Sequence, residues 1–245
     1  MTDATDEEAI ELTGELAGVG VAGVVTILAT SPFLIAAAAF LPTLGPVALK
    51  ALVRRYGSFW DGVKGCADGS EEAARAHFNA GTDNVTAQDA VLETLRRVQD
   101  ALDPDVLFAL GRLLWPYADG KRKPNRFFRS MGNMLTDIDS DELMLLRDLL
   151  RAVVRQGDSF VRLQSDVTES HDPVRRGIGL VGTGTVILEG VFGNSLFPLL
   201  KRHGFANGVG GFGMDAETSA ELHLFTVEAI LEVIDVEFVP TPRSE

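Results

Sequence analysis

One stretch constrains this chain more than any other. From Leu16 to Leu49 there are 34 residues and no charged side chain. A helix crossing the ~30 Å hydrocarbon core of a bilayer needs about 20 such residues. Unbroken helix over the whole run would measure about 51 Å at 1.5 Å per residue, too long for one straight span. The prolines divide it. Ser31-Pro32 reads as an N-cap followed by the first helical position. Thr43 to Pro46 reads as a second break, ahead of a short amphipathic helix, PVALKALVRRYG, closed by Gly57. A kinked span from Ala17 to Leu41, or a re-entrant hairpin, fits this division better than two full crossings.

The flanks of the run differ in charge. Residues 1–15 carry Asp3, Asp6, Glu7, Glu8, Glu11 and Glu15 with no basic residue, whereas Lys50, Arg54, Arg55 and Lys64 follow it. Tyr56 and Trp60 stand nearby as interface anchors. By the positive-inside rule, a single span leaves the basic side and all that follows in the cytoplasm. The acidic start and the length of the run do not fit a secretory signal peptide. Gly14, Gly18, Ala22 and Gly23 form a seam of small residues suited to close helix packing, interrupted further on at Pro32. The competing reading is an Ala/Gly-rich hairpin buried in the core of a cytoplasmic protein. Glycine in a helix is about 1 kcal/mol less favourable than alanine, so the seam needs a close-packing reason in either case.

GVGVAG, Gly18 to Gly23, also matches the G-x-G-x-x-G of a dinucleotide-binding turn. The match fails on context. The preceding EEAIELTGELA is acidic and helix-like rather than an apolar strand, and the acidic ribose ligand expected about 20 residues on is missing. A second match, GVGGFG from Gly208 to Gly213, precedes Asp215 and Glu217 and reads as a loop tip.

The middle of the chain is helical by pattern. Residues 58–84 are rich in Gly and Asp and read as a linker with one short helix at 70–79. Thr86 reads as the cap of a helix to Leu102, with Val91, Leu92, Leu95 and Val98 on one face. Asp103-Pro104 opens another, with Val106, Leu107, Leu110, Leu113 and Leu114, ended by Pro116. PNRFFRSMGNML gives a third, from Pro124 to Leu135. Asp139 and Glu142 have capping-box spacing for a fourth at 140–156, striped by Leu143, Leu146, Leu149, Leu150 and Val153 and stopped at Gly157. Such stripes joined by short connections describe a packed bundle.

Within it, KRKPNRFFR gathers Lys121, Arg122, Lys123, Arg126 and Arg129 around Phe127 and Phe128. A charge run is ordinarily a solvated face. Read functionally, it offers a grip on lipid headgroups, nucleic-acid phosphates or an acidic protein. Net charge limits these choices: 35 acidic against 22 basic residues give −13, which repels phosphate polymers at long range. Nucleic acid is therefore the less favoured partner, and a protein partner the more favoured.

The last third reads as a strand at SFVRLQSDV, then RRGIGLVGTGTVILEGVFG, whose only charge between Gly177 and Leu200 is Glu189. Its Gly-Thr repeats and central glutamate argue against a second span. NSLFPLLKRHGFANGVGGFGMDAETSAELHLFTVEAILEVI then runs as capped helix, Gly turn, glycine-rich loop, strand ELHLFT and helix. This order resembles the winged-helix pattern over about 60 residues. The resemblance implies a recognition helix with Lys201, Arg202 and His203 as phosphate contacts, although Pro198 interrupts that helix and the module is not basic. The overall order of apolar segment, bundle and winged-helix-like end resembles bacterial abortive-infection helical families, and implies a defence or stress effector.

Recognisable catalytic chemistry is sparse. His77, His171, His203 and His223 show no metal-ligand spacing, and there is no nucleophile elbow, P-loop lysine or paired-carboxylate cluster. His171-Asp172-Pro173 reads as a helix start. The lone Cys66 excludes an internal disulfide and has no CxxC partner, while its place after the run permits acylation. The expectation is thus a mainly α chain with no catalytic, cofactor or metal site: an acidic tail at 1–15, an apolar helical segment at 16–57, a linker at 58–84, a bundle at 85–157 and a small α+β, winged-helix-like module at 158–240. It acts at the cytoplasmic side of a membrane through protein partners or membrane insertion, with self-association through 16–49. The alternative is a soluble regulatory protein that reads DNA or a partner.

Overall fold

The computed structural model describes residues 46–81, 83–101, 103–156, 160–166, 177–180, 185–189, 193–208 and 219–238. The seam residues Gly14, Gly18, Ala22, Gly23 and Pro32 lie outside them, as does all of the uncharged run before Pro46. The described part is mostly helical, as expected. No helix among the described residues is long and apolar enough to cross a membrane. The chain divides into two compact units, residues 1–125 and 126–245.

In the first unit, helix α1 spans Pro46–Gly65, α2 Glu71–Ala80, α3 Val85–Asp100 and α4 Pro104–Leu114, followed by a 3-10 turn at Trp115–Tyr117. Gly57 does not close α1, and the stretch expected as linker holds the second half of α1 before the short helix expected at 70–79, which is α2. The reason lies in the apolar spacing. Tyr56, Phe59, Trp60 and Val63 are all buried, so the face that packs on α4 continues through the glycines. One of them, Gly62, serves the packing, whereas Gly57 faces open space. A Cβ on Gly62 would lie 2.0 Å from the Phe108 carbonyl oxygen, and one on Gly111 would lie 2.1 Å from that of Phe59. Each helix therefore supplies a glycine where the other's backbone passes, and the two approach at a distance any side chain would forbid.

Local caps fix the other helices. Ser70 accepts from the Ala73 amide at the start of α2. At α3 the cap is Asn84 rather than Thr86, its Oδ1 accepting from the amides of Thr86 at 2.9 Å and Ala87 at 3.4 Å. The helix is thus set earlier than the Thr86 cap implies. Ala87, Ala90, Thr94, Leu95 and Val98 are buried, whereas Val91 and Leu92 are only half-buried. Pro104 opens α4 as expected. Pro116 falls inside the 3-10 turn.

The second unit begins with α5, Arg126–Thr136, and α6, Ser140–Gln156. The capping box at α6 forms: the Glu142 amide donates to Asp139 Oδ1 at 2.8 Å, and the Asp139 amide to Glu142 Oε2 at 3.4 Å. All five residues of its apolar stripe are buried. Strands β1 (Phe160–Asp166), β2 (Gly177–Leu180) and β3 (Thr185–Glu189) follow, then α7 (Gly193–Arg202), β4 (Ala206–Gly208), β5 (Ser219–His223) and α8 (Leu224–Ile234). The apolar stretch around Gly177–Glu189 is an antiparallel pair, β2 with β3, in place of a second spanning segment. Pro198 does not interrupt α7. It lies inside the helix on its exposed side, where its missing N–H forfeits one helical bond at the surface. ELHLFT is a strand only as far as His223. Gly157, His171 to Pro173, and the loop from 209 to 218 lie outside the described residues.

The five strands form one mixed sheet in the order β2-β3-β1-β5-β4. β1 runs parallel to β3, with Leu163 opposite Val186, and antiparallel to β5, with Leu163 opposite Ala220. Helix α7 packs on β1, β4 and β5, and α8 packs on α6. The core of this unit is drawn from Phe128, Met131, Leu146, Leu150, Phe197 and Ile230, each fully buried.

Candidate binding surface

The sequence patch at 121–129 straddles the boundary between the units. Lys121, Arg122 and Lys123 belong to the first, and Arg126 and Arg129 to the second. All five are exposed. Within the second unit, local geometry joins Arg126 to the basic triplet at the end of α7.

That helix ends in a Schellman turn. The Phe205 amide donates to the Leu200 carbonyl at 2.8 Å and the Gly204 amide to that of Lys201 at 3.0 Å, with Gly204 at φ +74°. The turn sends Phe205 back into the core, where its ring meets Phe127 edge-on at 5.8 Å between centroids. Phe127 lies beside Arg126 at the start of α5, so the same contact carries Arg126 to the turn. A Cβ on Gly204 would stand 3.3 Å from Arg126 Nη2. From the far end of α5, Asp137 Oδ2 meets His203 Nε2 at 3.0 Å and Arg202 Nη2 at 3.4 Å. Arg202, His203 and Gly204 are thereby held between Arg126 at one end of α5 and Asp137 just beyond the other, with Lys201 beside them in the last turn of α7. Arg129, three residues beyond Arg126, is on the same side of the helix.

Asp137 has no counterpart in the sequence expectation. Its signal was its place just beyond α5, and nothing in local pattern tied it to a triplet 64 to 66 residues on. The carboxylate neutralises part of the corner: Arg202 is 63% exposed and His203 only 10%, so the arginine reaches outward while the imidazole is held inside. The arrangement gives a surface for anions of modest charge, with hydrogen-bond donors from guanidinium groups in fixed places.

A second ionic cluster, also missed, is structural. Asp235 follows α8 and is only 2% exposed. Arg151 donates to both of its oxygens, with Nη2 to Oδ1 at 2.6 Å, and the same Nη2 reaches Glu237 at 3.0 Å. These bonds hold the Asp235 carboxyl below the usual carboxylate range. They tie the end of α8 to α6 and leave Asp235 no acceptor role toward a substrate. Burial raises the Cys66 thiol above its ordinary value, which makes it a poor thiolate. Among the described residues no group of three His, Cys, Asp or Glu side chains is placed to hold a metal ion. Compared with known protein families, curated proteins and solved structures, the chain matches none.

Proposed function

We propose that the protein is a membrane-associated helical adaptor. Residues 16–49 hold it at a bilayer, with the basic flank and both described units on the cytoplasmic side, and the second unit binds an acidic protein partner. The observation that carries the binding half is the assembly of Arg126 with Lys201, Arg202 and His203 across α5. These residues are 75 or more positions apart in a chain of net charge −13, and folding gathers them. Charges beyond about 8 Å are largely screened at physiological salt, so an acidic segment docked there meets the corner rather than the whole acidic surface. The test uses a poly-glutamate peptide as probe at physiological salt. Charge reversal at Arg126, Lys201 and Arg202 together is expected to weaken its binding at least tenfold, in the manner of interfacial charge pairs. Unchanged affinity would remove the corner from the account.

A second reading has its own observation. Helix α7 is followed by the antiparallel pair β4–β5, with β1 as the third strand beside β5. That order supports the winged-helix resemblance, and with it a small α+β module that reads DNA through α7. Against it stand Asp137, which engages both Arg202 and His203, and the balance of 18 acidic to 11 basic residues over 126–245. A salt-dependent shift of duplex DNA by the intact protein would favour this reading over the protein partner.

A further inference from the structure

We infer that the turn at Lys121–Lys123 is a contact for the anionic headgroups of a lipid surface. The turn is built to hold its shape. Asp119 is only 8% exposed, and it accepts from the Lys121 amide at 3.0 Å and from Lys121 Nζ at 2.8 Å. Gly120, at φ +76°, crosses over Asn84: a Cβ there would lie 2.4 Å from the Asn84 side chain. Asn84 in turn donates to the Gly120 carbonyl at 3.4 Å while capping α3. On the other side the Tyr117 hydroxyl donates to Asn125 Oδ1 at 3.4 Å. The loop is therefore closed at both ends, and its tip presents Lys121, Arg122 and Lys123 to solvent. Among the described residues no carboxylate pairs with Arg122 or Lys123. Two cations with no carboxylate partner among the described residues and a third partly neutralised one thus stand together on a backbone that is held before binding.

Three features select lipid over nucleic acid. The nearby rings are engaged within the fold, Tyr117 being buried and Trp115 having one face stacked on His77 with centroids 3.9 Å apart, which limits base stacking. The acidic excess of the chain lies elsewhere: residues 46–125 carry 11 acidic and 11 basic side chains. A long polyanion is repelled by the net charge of −13, whereas the field of a lipid surface fades within a Debye length and acts on the side chains nearest to it. And the same chain carries the uncharged run at 16–49, on which the membrane reading rests. The inference thus rests on the membrane reading above and adds to it a preference for negatively charged lipid.

The test is initial binding of the full chain to preformed vesicles of neutral phosphatidylcholine, alone or with added phosphatidylserine. The R122Q/K123Q variant leaves the Lys121–Asp119 anchor intact, and an unchanged thermal unfolding curve checks that the turn is undisturbed. Anionic lipid is expected to strengthen binding of the natural protein. R122Q/K123Q is expected to reduce that gain by about 25-fold, at roughly fivefold for each basic side chain near the surface. Equal binding to both vesicles, or a gain the variant retains, overturns this inference and leaves the membrane reading standing. No binding to either vesicle contradicts the membrane reading itself, and the inference with it. If the variant loses affinity for a DNA duplex while its vesicle preference is unchanged, the turn belongs to nucleic acid and the lipid assignment is wrong.

Discussion

At the scale of single residues, the strongest demands come from glycines and one buried acid. Gly62 and Gly111 stand where two backbones touch, and a methyl group at either meets a carbonyl oxygen that no rotamer change can move. Gly62→Ala is expected to lower stability of the first unit by about 3 kcal/mol, toward the upper end of overpacking penalties, as read from chemical denaturation. Gly204→Ala should be milder, about 1 to 2 kcal/mol for a left-handed residue other than glycine. It should also displace Arg126 and so weaken the poly-glutamate probe, which a purely structural turn would not do. Asp235 sets a pH dependence. Its folded carboxyl titrates below the ordinary value near 3.9, so its ionised pairing with Arg151 stabilises the fold above about pH 4. That contribution is lost as pH falls through the lowered folded value. Asp235→Asn is expected to cost about 2 to 4 kcal/mol at neutral pH, because it leaves Arg151 without its charge partner, and to flatten the acid limb of the stability curve. An acid limb identical to that of the natural protein would show that the pairing contributes nothing.

At the scale of elements, the caps do much of the specifying. Asn84→Ala is expected to cost about 1 kcal/mol through the lost cap of α3. Because the same side chain holds Gly120, the substitution should also raise amide exchange at 119–123, a coupling that hydrogen-exchange measurements would detect. What was legible in the sequence follows the same division. The capping box and stripe of α6, the Pro104 start of α4 and the Ser70 start of α2 rest on bonds between residues three or four apart, and local pattern captures those. The continuation of α1 through Gly57 was not legible, because what carries the helix on is packing of Phe59, Trp60, Gly62 and Val63 against α4, a partner 46 residues away at the Gly62–Phe108 contact. The pair β2–β3 was masked by composition, since an apolar run with one glutamate reads alike as buried strand or helix until its neighbours are known. Of the candidate corner, the triplet at 201–203 was visible as charge. Arg126 was visible only as part of a neighbouring run, and Asp137 not at all, since the Phe127–Phe205 contact that assembles them is tertiary.

At the scale of the whole molecule, the account joins an uncharged segment to two compact units. The described core of the first unit starts at Tyr56, within a helix that begins at Pro46. A chain cut at Gly57, where the sequence suggests a boundary, would lose Tyr56 and half of α1. A chain lacking only residues 1–45 keeps every described core residue, and it is the variant to compare. The most direct measurement of the central claim is partition of the full protein between supernatant and membrane pellet after an alkaline carbonate wash, beside the chain lacking 1–45. The account predicts that the full chain stays in the pellet and the shortened chain is released, folded, into the supernatant. Complete recovery of the full chain in the supernatant without detergent would contradict it.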